Sequence, residues 1–185
     1  MHQRQAIREA VVARLTGTAP TYAIPSVGAR IFKSRMAPIP QAQLPAINVY
    51  TQEEQVDPDS AATAPRELRR VAIVAVEAWV KASSNVDDAL DTLSEAIETV
   101  MDADYCLGGT AFDSTLLSTE IMLSMEGERP LGCVHLEYTV TYHSDRRVVA
   151  PTDNFDTLDV RTRVPGVTDE DDEAHDVVSE IYDGS

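Results

Sequence analysis

Three side chains of the kind that bind metals alternate along one predicted strand. Cys133, His135 and Glu137 lie two positions apart, which places them on the same face of a β-strand. A thiolate, an imidazole and a carboxylate all bind zinc, but a structural zinc site needs four ligands, and no other His or Cys motif converges on these residues. We therefore expect an exposed face of a sheet here and no metal site.

Other arrangements that carry chemistry are also incomplete. Gly108-Gly109-Thr110 follows a predicted helix, whereas a phosphate-binding loop precedes one, so this segment is expected to end the helix. Residues 169–173 are all acidic but lack the turn glycine and the terminal glutamate of an EF-hand. A nucleophile elbow of the form Gly-x-Ser-x-Gly is absent. These patterns predict a protein that is not an enzyme and uses no cofactor or metal.

The chain is strongly acidic. Its 185 residues contain 31 acids and 15 bases, for a net charge of −16. From Pro151 to Ser185, eleven acids are offset only by Arg161 and Arg163, which gives this segment a net charge of −9. Phosphate contacts need clustered Lys and Arg, so the charge argues against a protein that grips or reads DNA. An acidic surface instead suits a channel through which DNA slides without adhering.

The sequence predicts a soluble intracellular protein without membrane contact. No window approaches the roughly 18 consecutive apolar residues of a membrane span, and residues 1–17 lack the apolar region of a signal peptide. In that compartment, Cys106 and Cys133 are expected to be small buried thiols and not a disulfide.

Two helices are predicted from the spacing of apolar residues. Residues 2–16 carry an apolar stripe at every fourth position and end at Gly17. Residues 85–101 carry apolar residues spaced by four, three, four and three, and Ser84 with Asp87 provides a capping signal. The stripes are Ile7, Val11 and Leu15 in the first helix, and Val86, Leu90, Leu93, Ile97 and Val100 in the second.

Five strands are predicted from alternation and apolar runs. Residues 71–80 are all apolar except Glu77, which is typical of a central strand. Residues 46–52 are its expected partner. Residues 28–35 are a further short strand, followed by a proline-rich extended linker over residues 36–45. Residues 115–125 and 132–143 alternate and are expected to pair as a hairpin. Their apolar faces are Leu117, Thr119, Ile121, Leu123 and Met125, and Val134, Leu136, Tyr138, Val140 and Tyr142.

These elements predict an α+β fold. Its sheet is mixed and mainly antiparallel, with the two helices packed on one face. Residues 53–69 are polar and contain two prolines, so we expect the flexible tip of a long β-hairpin arm there. We expect the folded domain to span residues 1–145, and residues 146–185 to form an acidic, extended or flexible C-terminal arm.

Three stretches carry a resemblance to a known family. They are the opening helix of residues 4–15, the strand entry Leu44–Tyr50, and the closing strand Leu136–Tyr142, which reads Leu-x-Tyr-x-Val-x-Tyr. An apolar strand, a helix that begins near Asp87, and a further strand lie between the last two. In this order and spacing, residues 3–144 resemble the tail terminator proteins of long-tailed phages, the group typified by the minor tail protein U of lambda-like phages.

The resemblance implies a structural virion protein that forms a homohexameric ring. Such a ring caps the head-proximal end of the tail tube, stops its elongation, and offers an attachment surface to the head connector proteins. DNA passes through its lumen without specific binding, and the protein resides in the host cytoplasm before it joins the virion neck. Compact members of the family end soon after the closing strand, so the resemblance does not cover the last forty or so residues.

We expect the arm and the C-terminal segment to contact a neighbouring subunit, the tail tube protein or the connector. Residues 154–162 alternate in a way that can add a strand to a neighbour. The predicted interface residues are Glu53, Glu54, Asp57, Asp59, Arg66, Arg69 and Arg70 in the arm, and Phe155, Leu158 and Val160 in the C-terminal segment.

The sequence leaves three other interpretations of function open. A head-side neck ring protein of similar fold has the same pattern. A small acidic enzyme or ligand-binding domain would show a deep pocket with perturbed carboxylates. An acidic DNA mimic would present its carboxylates on one face at the spacing of phosphates.

Overall fold

The computed structural model describes residues 2–61, 67–81, 85–124, 131–145, 157–162 and 174–179. Contacts divide the chain into two units, Met1–Arg146 and Arg147–Ser185. The described elements, in chain order, are α1 (Gln3–Thr16), β1 (Gly17–Thr18), β2 (Thr21–Tyr22), β3 (Ile31–Lys33), β4 (Ala46–Asp57), β5 (Glu67–Lys81), α2 (Val86–Asp102), β6 (Asp113–Ser124), β7 (Leu131–Asp145), β8 (Thr157–Thr162) and β9 (Ala174–Ser179). The predicted α+β class is confirmed.

Helix α1 begins and ends as its sequence predicts. Nδ1 of His2 accepts a hydrogen bond from the amide of Arg4 at 3.2 Å, which caps the first turn. At the other end Gly17 has a φ of 68°, and a β-carbon there would lie 2.6 Å from the backbone nitrogen of Ala23. Only glycine fits this close approach. The predicted stripe of Ile7, Val11 and Leu15 is fully buried.

Helix α2 also follows its predicted bounds closely, but its start differs. Its N-cap is Asn85, which has a φ of 55° and makes no side-chain capping bond, while Ser84 lies outside the described residues. Gly108 and Gly109, both at positive φ, belong to the turn that follows the helix, as predicted. The apolar spacing therefore predicted the helix better than the capping signal did.

The main sheet has five strands in the order β3-β4-β5-β7-β6. β3 runs parallel to β4, and the other pairs are antiparallel. The predicted central strand, its partner and the hairpin of the last two strands are all present. β3 covers only three of the residues predicted over 28–35. Both outer strands, β3 and β6, have one edge that pairs with no other described strand.

Both helices pack against one face of this sheet. We call it the helix-covered face; it carries the even-numbered residues of β5 and β7. The other side, which we call the open face, carries the odd-numbered residues. Gly132 shows how closely α2 packs on β7, since a β-carbon there would lie 2.4 Å from Cγ1 of Val86. Fully buried core residues on the sheet include Ile47, Val49, Val74, Val76, Val134, Leu136 and Val140.

The β-hairpin arm is more ordered than its sequence predicts. Pairing between β4 and β5 continues outward to Asp57 and Arg69, and residues 58–61 form a single 3₁₀ turn. The hydroxyl of Ser60 accepts a hydrogen bond from the amide of Arg69 at 2.8 Å. The prediction of a flexible tip is therefore wrong for residues 53–61 and 67–69. The polar side chains gave no sign of this pairing in the sequence, because backbone groups form the hydrogen bonds between the strands.

Strand β6 departs from its predicted alternation. A bulge between Leu116 and Ser118 makes Leu117 an extra residue, so it does not share a face with Ile121 and Leu123. Those two residues lie on the helix-covered side of the sheet but stay largely exposed. The apolar pattern identified the strand but did not reveal that its apolar residues stay uncovered.

The second unit contains one hairpin. β8 pairs antiparallel with β9, from Thr157 opposite Ser179 to Thr162 opposite Ala174. The prediction of an extended or flexible arm omits this pairing. Within the described parts of the chain, neither helix combines the length and apolarity that crossing a membrane requires.

Candidate functional site

A series of polar side chains crosses four strands on the open face of the sheet. The hydroxyl of Tyr50 on β4 donates to Oε1 of Glu77 on β5 at 2.6 Å. Nδ1 of His135 on β7 lies 3.5 Å from the same oxygen, and its Nε2 lies 3.3 Å from Oε1 of Glu137. The hydroxyl of Ser118 on β6 donates to Oε2 of Glu137 at 2.9 Å. We call these five residues the polar row.

Burial and local contacts shift the pKa values of Tyr50, Cys133 and Glu137. Burial, followed by the hydrogen bond to Glu77, raises the pKa of Tyr50 to about 12. Burial, followed by the charge of Glu77, raises the pKa of the neighbouring Cys133 thiol to about 12. The hydrogen bond from Ser118, followed by that from His135, lowers the pKa of Glu137.

These contacts suit a row that joins neighbouring strands. A thiol whose pKa is raised is a poor nucleophile near neutral pH, and a phenol held protonated is a hydrogen-bond donor. In the described ranges of the chain, no group of three or more His, Cys, Asp or Glu side chains is arranged to hold a metal. The arrangement can fix the relative positions of four strands, because its contacts run from β4 to β5, from β5 to β7 and from β7 to β6.

The prediction of an exposed strand face is wrong for two of its three residues. Cys133 is 1% exposed and His135 is 9% exposed. Register explains this burial, since Cys133 lies between Trp79 of β5 and Met122 of β6. The sequence of a single strand does not reveal which side chains flank it on neighbouring strands. Both cysteines are free thiols, with Cys106 only half-buried.

A cleft of about 420 Å³ lies beside the polar row, where the linker after β3 passes over the open face. The Asn48 side chain holds this linker, accepting from the amide of Arg35 at 3.0 Å and donating to its carbonyl at 3.2 Å. The cleft is lined by Arg35, Met36, Ala37, Pro38, Ile39, Leu44, Asn48, Glu77, Trp79 and Leu131. Its walls mix apolar and polar groups but present no activated side chain.

A second cluster lies at the base of the arm, on the helix-covered side. Glu54, whose side chain is 8% exposed, lies 3.1 Å from NH1 of Arg4 and 3.5 Å from NH1 of Arg70. Its Oε1 also accepts a hydrogen bond from the hydroxyl of Tyr142. Burial, followed by this hydrogen bond, raises the pKa of Tyr142 to about 12. The cluster, which we call the arm base, ties α1 to β4, β5 and β7.

The predicted interface residues fall into four groups. Glu54 and Arg70 lie in the arm base, where their charges face each other within one chain. The other described arm residues lie along or beyond the outer part of the hairpin: Glu53, Asp57, Asp59 and Arg69. Leu158 and Val160 lie on β8, whereas Arg66 and Phe155 lie outside the described residues.

Sequence reasoning missed the residues that complete both clusters. Glu77 gave the clearest signal, since a carboxylate in an otherwise apolar central strand needs a partner. Tyr50 and Gln52, which reach the polar row from β4, gave no such signal. Arg4 was visible only as part of the opening helix. These contacts depend on strand register and helix docking.

Comparison with known proteins gives one family. Residues 2–142 match the sequence model of the family described as phage minor tail protein U. No curated protein matches the chain. The matched residues include both helices, the arm and nearly all of the five-stranded sheet, whereas β8 and β9 lie beyond the match.

Proposed function

Because the chain belongs to the phage minor tail protein U family, a family of structural tail components, we propose that it is a tail terminator. In this proposal six copies form a ring at the head-proximal end of the tail tube. The ring stops tube elongation and presents the surface to which the head connector binds. The match over residues 2–142 is the observation that carries the proposal.

A closed ring made by head-to-tail contacts needs two different patches on each subunit. The fold offers such patches, because the sheet ends in β3 on one side and β6 on the other. Open strand edges invite pairing with another chain unless something covers them. A ring would cover both edges on every copy, so the two open edges support the proposal.

The arm is the second element that we assign to assembly. It extends beyond the arm base as a two-stranded hairpin whose charged residues include Asp57, Asp59 and Arg69. The arm base ties this hairpin to α1, since NH1 of Arg4 lies 3.1 Å from Oε2 of Glu54. We assign its outer part to contact with the adjacent subunit or the tube.

The C-terminal segment is assigned to contact with a neighbouring virion protein. Its candidate residues are Leu158 and Val160 on β8 and Phe155 before it. Truncation after Ala150 is expected to leave ring formation intact and to impair head joining. Unimpaired joining by the truncated chain would remove this role.

The net charge of −16 supports a lumen through which DNA passes without adhering. No reaction on DNA or on any other molecule is part of this proposal. Replacing lumen-facing acids with neutral residues is expected to slow DNA ejection, since exposed neutral surface no longer repels phosphates. Unchanged ejection kinetics would contradict this part.

The proposal is tested with tails assembled in the absence of this chain. Tubes without it are expected to exceed their normal length and to accept no heads, and addition of the purified chain should cap them. Binding to purified tube protein is compared with binding to connector protein. Unlimited tube growth in the presence of the chain, or binding to the connector alone, would contradict termination and favour a head-side neck ring.

A further inference from the structure

The outer strand β6 exposes an unusual amount of apolar surface. Four apolar side chains on this strand are 42% to 61% exposed: Leu117, Ile121, Met122 and Leu123. The outer edge of β6 pairs with no described strand. A long, open and apolar edge promotes association with another chain. Its exposure in the single subunit therefore points to a partner.

Acidic side chains flank this edge on the helix-covered side. All the acids of α2 lie on the outward face of the helix, and the helix contains no lysine or arginine. A groove of about 460 Å³ runs between them and β6, with Thr119 and Ile121 forming its other wall. The acids that line it are Asp91, Glu95, Glu98 and Asp102, and no described cation forms an ion pair with them. A partner at this edge should therefore be basic.

The opposite edge of the same sheet has the complementary character. Around β3, Arg30, Lys33 and Arg35 lie within six residues of one another. The guanidinium of Arg35 stacks 4.7 Å above the ring of Phe32. Beside them Met36 is 98% exposed and offers an apolar side chain for contact. This edge is basic with an apolar projection, whereas the β6 edge is apolar with acids beside it.

We propose that β6 and the acidic groove of one copy dock against the β3 edge of the next copy. The partner is thus a second copy of this chain, and the inference rests on the ring of the proposed function while naming the surfaces that close it. Each subunit uses β6 on one side and β3 on the other, so the contact is head-to-tail and can close into a ring.

The two faces of the sheet agree with this docking. Lys33 lies on the helix-covered side, opposite Val49, and forms an exposed ion pair with Glu9 of α1. It therefore lies on the same side as the acids of α2. Phe32 lies on the open side, opposite Asn48, and Met122 also lies on the open side, opposite Cys133. When the sheets continue edge to edge, Lys33 lies on the side of the α2 acids and Phe32 lies on the side of Met122.

Charge reversal tests the docking directly. The acidic-edge variant carries Glu95→Lys, and the basic-edge variant carries Lys33→Glu, because Lys33 lies on the same side of the sheet as the α2 acids. Each alone puts like charges in contact and should raise the protein concentration for half-maximal ring formation at least about a hundredfold. The combined variant restores opposite charges at every contact with the net charge of the wild type, and it should recover ring formation.

Ring formation is measured by native mass spectrometry and by electron micrographs of tube ends after the chain is added. Circular dichroism confirms that each variant is folded. Leu123→Asp provides a second test, since this exposed residue should leave the urea midpoint unchanged and abolish rings.

The outcomes separate this inference from the proposed function. Loss of rings in each single-edge variant with recovery in the combined variant supports the docking. Normal rings from either single-edge variant or from Leu123→Asp would overturn the docking. A folded combined variant that forms no rings would also overturn it. Both results leave the terminator proposal standing. A wild-type chain that forms no ring on tubes overturns both.

Discussion

The two faces of the five-stranded sheet differ in what they contact and in what that contact stabilises. The helix-covered face is packed by α1 and α2 and is apolar along β5 and β7, with Val76 and Leu136 fully buried. The open face holds the polar row, in which Tyr50 donates a hydrogen bond to Glu77, and Nδ1 of His135 lies 3.5 Å from the same carboxylate oxygen. One face stabilises the fold by burial, and the other fixes strand positions by directed contacts.

The two faces therefore contribute differently to stability and to strand geometry. Apolar burial contributes about 1.5–3 kcal/mol for each large side chain, so the helix-covered face should dominate the free energy of unfolding. Hydrogen bonds contribute about 0.5–1.5 kcal/mol each after exchange with water, so the polar row should add less stability and more geometric definition. Substitutions on the two faces should therefore differ in size and in kind.

The largest effect is expected at the centre of the helix-covered face. Leu136→Ala should lower the free energy of unfolding by about 2–5 kcal/mol, because it leaves a cavity under the helices. Thr141→Ala, on the open face of the same strand, should cost no more than about 1 kcal/mol. Urea unfolding measures both. Equal losses for the two variants would show that the faces do not differ.

A smaller loss is expected at the polar end of the helix-covered face. Glu54→Gln should lower the free energy of unfolding by about 1–3 kcal/mol, because Arg4 and Arg70 lose their carboxylate partner. Both arginines keep access to water, which limits the loss. Glu53→Gln, its exposed neighbour on the other side of the strand, is the matched control and should change the stability little. A similar loss in both variants would contradict the role of the arm base.

Alkaline pH should act on both faces through two tyrosines. Burial and a carboxylate acceptor raise the pKa of Tyr50 and of Tyr142 from 10.0 to about 12. The unfolded chain then loses its phenolic protons first, so stability is complete below pH 10 and falls as pH rises towards about 12. Tyr50→Phe and Tyr142→Phe should each make the unfolding free energy less dependent on pH in this range. Unchanged pH dependence in both would contradict the two buried contacts.

The smallest effect is expected on the free energy of unfolding at acidic pH, through the open face alone. The pKa of Glu137 is lowered from 4.5, first by Ser118 and then by His135, so its contribution is present above pH 4.5 and is lost as pH falls through the lowered value. Ser118→Ala should weaken this acid dependence and leave stability at neutral pH within about 1 kcal/mol. Urea unfolding at several acidic pH values measures it. An identical acid profile in Ser118→Ala would show that the hydrogen bond has no effect.

The sequence predicted the elements of the helix-covered face well, because burial on one side leaves a period in the sequence. The stripe of α1, the stripe of α2 and the alternation from Val134 to Tyr142 all gave correct elements with nearly correct bounds. The central position of β5 also followed from its apolar run. The hairpin of the arm was predicted to exist, but its pairing to Asp57 and Arg69 left no apolar signal.

The open face and the arm base were not predictable in the same way. Tyr50, Glu77 and His135 come together only through the register of three strands, which no local pattern encodes. Glu54 and Arg4 meet because α1 docks beside β4, which local spacing also leaves undetermined. Single-strand reasoning therefore placed His135 on an exposed face, although neighbouring strands bury it.

Electron cryomicroscopy of the head-proximal end of assembled tails tests the central claim most directly. The account predicts six copies of this chain in a closed ring on the tube, with β6 of each copy against β3 of the next. A tail end without this chain, or a single copy there, would contradict the account.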